Sequence, residues 1–223
     1  MTFKLFVQAI SKFILGVLIT GLLIFLPAGT ILFLNGLLFM AVLFVPMFCA
    51  GVVMMIKNPE LLEKRLKAKE KQKSQDAIVK LTGLIFVVAF VLAGLNFRFS
   101  WHLLPKTVVY IAIGCFVVAY IVYAEVLREN TYLSRTIEIQ NNQTIVSTGL
   151  YSVVRHPMYS ATLVLFLSMP LILGSIFSFF LLLIYPFLIV QRIKKEEELL
   201  KKELQGYTEY TQKVKYRIIP YLW

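Results

Sequence analysis

Hydrophobic and polar positions along this chain fall into long blocks rather than short alternations. The first block, Phe13 to Ile56, holds 44 residues without a charge. As one helix it would run about 66 Å, roughly twice the hydrocarbon thickness of a bilayer, so it must fold back once. Pro27-Ala28-Gly29 and Asn35-Gly36 both have turn chemistry; the second gives more equal halves and predicts spans near 13–34 and 37–56. The uncharged runs Leu81 to Phe97 and Thr107 to Ala124 are each about one crossing long, joined by a short connection through Trp101, His102 and Pro105. The last run, Pro157 to Gln191, is interrupted at Pro170-Leu-Ile-Leu-Gly174-Ser175 and reads as a tight hairpin of two short helices. The expected fold is therefore all-α: a polytopic membrane protein with about six transmembrane helices.

Two polar stretches are more than connectors. Asn58 through Gln75 has the pattern of a short charged helix starting at Pro59 after an Asn cap; a solvated basic loop held near anionic lipid is the plainer reading. Lys194 to Tyr216 is amphipathic, with Leu200, Leu204, Tyr207, Tyr210 and Val214 stepping by threes and fours, and predicts a C-terminal helix on the cytoplasmic surface. It leads into Ile218-Ile-Pro-Tyr-Leu-Trp223, an aromatic cluster suited to the headgroup layer.

Composition agrees with a membrane protein: 59% of the 223 residues are hydrophobic and the mean hydropathy is +0.78, more apolar surface than a soluble domain of this length can hide. The net charge of +11 first suggests an anionic partner. Its distribution changes that reading. Of 23 Lys and Arg residues, 21 fall on one side of the predicted spans, and only Arg98 and Lys106 fall on the other. This positive-inside pattern predicts both termini in the cytoplasm, and nucleic acid is not the expected partner because the charges form no single stripe. The first apolar run is too long for a secretory signal. Cys49 and Cys115 lie inside apolar runs, where a buried thiol acts as a small hydrophobe, and no disulfide or zinc framework is implied.

Polar groups that face one another at helix ends are the candidates for chemistry, since burying them beside lipid is costly unless something binds them. Gly149-Leu-Tyr151-Ser-Val-Val-Arg155-His156-Pro157-Met158-Tyr159 enters the last hairpin, and Arg192-Ile-Lys-Lys-Glu196-Glu197-Glu198 leaves it. The open ends of a hairpin lie side by side, so the two clusters are expected to meet. Pro157 suits the first turn of a helix and forces His156 to be extended at its lip, where free N–H groups favour an anion. Arg192 and Glu196, four apart, share a face; they are either an interfacial salt bridge or a cation and anion that hold an amino-acid moiety or a carboxylate. Glu125 and Arg128, at the end of the fourth span, are read as a plain interfacial pair that could approach the site, His102 as an interface residue, and Tyr120 and Tyr123 as packing residues that could line a substrate route.

These strings, followed by Gly206-Tyr-Thr-Glu-Tyr210 and Tyr216-Arg-Ile-Ile-Pro220, resemble the isoprenylcysteine carboxyl methyltransferase family, whose wider group includes the phospholipid N-methyltransferases. The resemblance runs from about Arg128 to Trp223; the earlier spans match in hydropathy and layout. It divides the chain into a four-span region, 1–127, with a basic cytoplasmic loop at 57–80, and a methyltransferase region, 128–223, made of a cofactor loop, the hairpin 157–192 and the C-terminal helix. It implies an S-adenosyl-L-methionine pocket lined by Gln143, Thr144, Ile145 and Val146, by Tyr151, and by His156, Pro157, Met158 and Tyr159. Arg192 matches the arginine expected to bind and orient the methyl acceptor, and Glu196 the glutamate expected to hold the cofactor. Glu197 could share or replace that catalytic role, because three consecutive glutamates leave the register open. Gln205-Gly206 runs straight into Tyr207 where many relatives have Phe-Gly and a Tyr three residues on, which bears on the cap over the cofactor.

The residues alone are compatible with this. There is no Gly-x-Gly-x-x-Gly after a strand, so a cofactor must be enclosed by helix ends and the C-terminal segment. Methyl transfer asks little acid-base chemistry of a protein; alignment supplies most of the rate. His156 and Arg192 are then positioners, and no metal is called for. The expected activity is S-adenosylmethionine-dependent methylation of a lipophilic acceptor, small or lipidated, with carboxyl O-methylation of an isoprenylcysteine-like compound first, S-adenosyl-L-homocysteine as by-product, and a bacterial plasma membrane as the setting. Amine methylation of a phospholipid headgroup is the alternative enzyme, and a small transporter or scaffold the non-enzymatic one; polar residues at midplane or a duplicated half would mark the latter, and the sequence shows neither clearly.

Overall fold

The structure is a computed structural model that describes residues 3–66, 73–133, 139 and 143–223. The elements are α1 (Phe3–Ala28), α2 (Leu34–Lys57), α3 (Pro59–Leu66), α4 (Lys73–Phe99), α5 (Lys106–Glu129), α6 (Pro157–Ile172), α7 (Ile176–Leu182), α8 (Tyr185–Glu203) and α9 (Tyr207–Lys213). A 3-10 turn, Gly149–Ser152, precedes α6. Among the described residues there is no strand, only one isolated bridge between Leu103 and Ser175. The protein is all-helical, with five segments long and apolar enough to cross a membrane and a shorter apolar helix, α6, of 16 residues. Large apolar side chains stay exposed along them, Leu18, Leu22 and Leu26 on α1 and Ile111, Val118 and Ile121 on α5, a perimeter suited to acyl chains rather than water.

The first fold-back differs from the sequence expectation. The turn lies at residues 29–33, after Pro27, and Asn35-Gly36 lies inside α2. Gly36 is there for packing: a Cβ would come within 2.8 Å of the Phe33 ring and 3.0 Å of the Phe25 ring. The connection between α4 and α5 is tied to the hairpin tip, Leu104 N–H donating to the Gly174 carbonyl at 3.2 Å. The side-chain amide of Asn96 brackets the main chain of His102, accepting from its N–H at 3.3 Å and donating to its carbonyl at 3.1 Å.

Three other expectations are modified. The second arm of the hairpin is two helices, α7 and α8, parted at Leu183 and Ile184 ahead of Pro186. The amphipathic C-terminal stretch is also not one helix: α8 ends at Glu203, and the left-handed Gly206 (φ 84°) re-aims the chain into α9. Cys49 and Cys115 are free and exposed on the apolar perimeter rather than buried. Asn58 caps α3 as its pattern predicts, its side-chain oxygen accepting from Leu61 N–H at 3.1 Å. Residues 67–72 of the expected charged helix lie outside the described residues.

The core is where α1, α2, α4, α5 and α6 meet, around Ile24, Phe39, Phe90, Phe116 and Met169. α5 and α6 pack most extensively. That places the start of α6, the end of α5 and the end of α8 together at one end of the bundle.

Candidate functional site

Three local structures shape this end. Glu129, the last residue of α5, accepts the Leu150 N–H with both carboxylate oxygens, at 3.2 and 3.1 Å. Gly149 makes that approach possible: its φ is 51°, and a Cβ there would sit 1.5 Å from the Glu129 carboxylate. Pro157 then starts α6 at its first turn, leaving His156 outside the helix with φ −127°.

His156 and Arg155 do not open into solvent. Arg155 N–H and His156 N–H donate to the Tyr216 and Arg217 carbonyls at 2.9 and 2.8 Å, so residues 216–217 run alongside the entry to α6. Glu197 joins the same assembly through its side chain. Its Oε1 accepts from Arg155 Nε at 2.7 Å and lies 3.2 Å from His156 Nε2, and its Oε2 accepts from Arg217 Nε at 2.9 Å. Arg155 completes its valences on the Val214 and Lys215 carbonyls. Glu197 is only 3% exposed. Two arginines and a histidine therefore converge on one buried carboxylate and tie the tail to the hairpin.

Glu196, one residue earlier and about 100° round the helix, faces the other way. Its Oε2 accepts the Tyr159 hydroxyl at 2.6 Å, and that hydroxyl accepts from Arg192 Nε at 3.0 Å. The chain Arg192, Tyr159, Glu196 crosses from one arm of the hairpin to the other and forms part of the wall of a cavity of about 110 Å³. Gln143, Thr144, Ile145, Val146, Tyr151, His156 and Met158 line the same cavity. Pro157 does not line it but sets the helix start, and Glu197 lies behind it. Glu125 and Arg128 are apart from it, paired with each other at 2.8 Å on an exposed face.

The cavity also has walls that the motif reading did not assign. Asn130, the C-cap of α5, donates to the Tyr151 hydroxyl at 3.0 Å. Tyr210 donates its hydroxyl to the Tyr151 carbonyl at 2.6 Å. Burial pushes the Tyr210 phenol up to about 12 and that of Tyr151 higher, so both remain protonated across the working range. Tyr207, 5% exposed, has a buried hydroxyl with no hydrogen-bond partner among the described residues. The helical spacing of Tyr207 and Tyr210 marked them as an inner face; only the tertiary fold shows that this face looks into the cavity. Arg65 and Tyr123 lie near the same end, the guanidinium donating to the phenol and to the Met158 sulfur at 3.8 Å.

Among the described residues, no group of three or more His, Cys, Asp or Glu side chains is placed to hold a metal. The arrangement offers a cation and an anion joined through a phenol, four further tyrosine rings (Tyr132, Tyr151, Tyr207 and Tyr210), and the orphaned hydroxyl of Tyr207. That combination suits a zwitterionic ligand with an amino-acid moiety.

Comparison with known proteins covers part of the segment that carries these residues. The phospholipid methyltransferase family model matches residues 104–205, a little under half of the chain, from just before α5 to just after α8. The match starts one span earlier than the motif resemblance and stops before the Gly206-Tyr207 segment. A Delta(14)-sterol reductase of Mus musculus, TM7SF2, is 33% identical over 91 residues, covering 40% of this chain and 22% of that protein. The chain thus aligns with only about a fifth of that relative's length. Over residues 104–205 this chain is similar to the phospholipid methyltransferase family.

Proposed function

We propose that the protein is an integral membrane methyltransferase that uses S-adenosylmethionine and acts on a lipophilic acceptor, with a carboxylate of an isoprenylcysteine-like compound as the methylated group. One observation carries this reading: within the family-matched segment, Arg192, Tyr159 and Glu196 form a hydrogen-bonded cation, phenol and carboxylate in the wall of a cavity that Tyr207, whose buried hydroxyl has no partner among the described residues, also lines. A buried hydroxyl without a protein partner is costly and finds its partner in a ligand. The residues therefore fit the cofactor. Glu196 would hold its ammonium, the Tyr207 hydroxyl would donate to its carboxylate, and residues 143–146 would flank the rest.

Bound there, S-adenosylmethionine supplies a methyl group already activated by its sulfonium. The protein's task is alignment and exclusion of water. Arg192 orients an anionic acceptor, while Tyr159 fixes the Arg192 side chain against Glu196. His156 is held by Glu197 and acts as a positioner rather than a base. The basic end of the bundle is read as cytoplasmic from the distribution of Lys and Arg.

Two other chemistries are separated by one experiment. Amine methylation of a phospholipid headgroup is compatible with the phospholipid methyltransferase family that residues 104–205 match, and the sterol reductase relative brings reduction of an apolar acceptor into view. Purified protein incubated with methyl-labelled cofactor and lipid extracts should place label in base-labile esters. Label confined to base-stable amines would move the reading to N-methylation. A product heavier by two hydrogens, without label, would replace it by reduction.

A further inference from the structure

A second cavity, of about 420 Å³, opens among α1, α2, α3, α5 and α6. Its wall is built mainly from apolar side chains, among them Leu43, Met47, Phe116, Leu165, Phe166 and Met169. Two cations stand in that wall, Lys12 from α1 and Arg65 from α3, and among the described residues no acidic side chain lines it. Neither cation has a carboxylate partner among the described residues. Lys12 Nζ donates to the Leu66 carbonyl at 2.6 Å. Arg65 touches a phenol and a thioether, Tyr123 and Met158. Both partners are neutral, so among the described residues no anion balances the half-buried guanidinium beside this apolar space, which leaves it suited to an anionic group.

Met158 connects the two cavities: it lines the first and meets Arg65, which lines the second. We propose that the second cavity takes the apolar chain of the methyl acceptor and that Arg65, assisted by Lys12, holds an anionic group at its head. The acceptor is then an anionic amphiphile, delivered with its head one side chain away from the donor site. This rests on the methyltransferase reading for the word acceptor, but the binding site stands on its own geometry. Both cations lie outside residues 104–205, so this selectivity belongs to the N-terminal region.

The test uses full-length protein in uncharged phosphatidylcholine nanodiscs, with the fluorescent fatty acid cis-parinaric acid and its methyl ester as probes. The acid should bind more tightly than the ester. Arg65→Gln should weaken the acid about tenfold and leave the ester unchanged, and Arg65→Lys should restore part of the loss. Equal weakening of acid and ester, or no weakening of either, overturns the proposal. Retained phosphatidylglycerol that the acid cannot displace also overturns it, because the occupant would then be a bilayer lipid. If S-adenosylmethionine fails to bind while acid binding keeps its dependence on Arg65, the methyltransferase reading falls and the anionic site stands.

Discussion

Tyr159 and Glu196, one on each arm of the last hairpin, are joined by a hydrogen bond of 2.6 Å. The bond fixes the register of three consecutive glutamates. Glu196 faces the cavity, and Glu197, about 100° further round the same helix, faces the tail. Adjacent carboxylates thereby take different partners: Glu196 a phenol in the cavity wall, Glu197 two arginines and a histidine in the interior.

From this follows a division of roles. On the proposed function, in which Arg192 orients the acceptor, Arg192→Ala should lower turnover about 100-fold and leave S-adenosylmethionine affinity largely unchanged. Single-turnover rates alongside equilibrium binding check this; equal loss of both would assign Arg192 to the cofactor.

Glu197 should behave as a structural residue. Glu197→Ala leaves Arg155 and His156 buried without their anion, for which a loss of about 3–5 kcal/mol is expected. Thermal unfolding in detergent should show a large drop in Tm. A Glu197→Ala protein of native stability but without activity would instead make the carboxylate catalytic.

Alkaline stability depends on Tyr210. Its phenol is raised from the ordinary 10 to about 12 in the folded protein, so its contribution is complete below pH 10 and is lost as pH rises towards 12, where the unfolded chain ionises first. Tyr210→Phe should cost about 1 kcal/mol at neutral pH, through the lost bond to the Tyr151 carbonyl, and flatten the fall in stability above pH 10. Denaturation curves at pH 7 and pH 11 measure both effects.

Gly149→Ala probes the close approach of α5 to the 3-10 turn. A methyl group there meets the Glu129 carboxylate and faces a positive φ, so the Glu129 bond to Leu150 must break. A destabilisation of about 1–3 kcal/mol is expected. Glu129→Ala in the same background should relieve part of it, a coupling that a double-mutant cycle detects.

The blocks of uncharged residues made the spans legible, because length and hydropathy alone set a crossing. The first turn was misplaced because Gly36 looks like turn chemistry in sequence and is a packing contact in space. Gln143 to Val146, Tyr151, Met158, Tyr159, Arg192 and Glu196 were legible through their motif resemblance, and the fold brings them to one cavity. Glu197 could not be told from Glu196 by spacing, since only the docked tail, with Arg217, distinguishes their faces. The orphaned hydroxyl of Tyr207 and the position of Arg65 beside Met158 depend on contacts between segments far apart in the chain, which periodicity does not encode.

The central claim is that the cavity at Glu196 binds S-adenosylmethionine. Isothermal titration of the purified protein with S-adenosylmethionine or S-adenosylhomocysteine tests it most directly, with Glu196→Gln and Tyr207→Phe as variants. Saturable one-to-one binding by the wild type, weakened about tenfold or more by Glu196→Gln and measurably by Tyr207→Phe, is the predicted result. No binding by folded wild-type protein, or unchanged affinity in a folded Glu196→Gln variant, would contradict it.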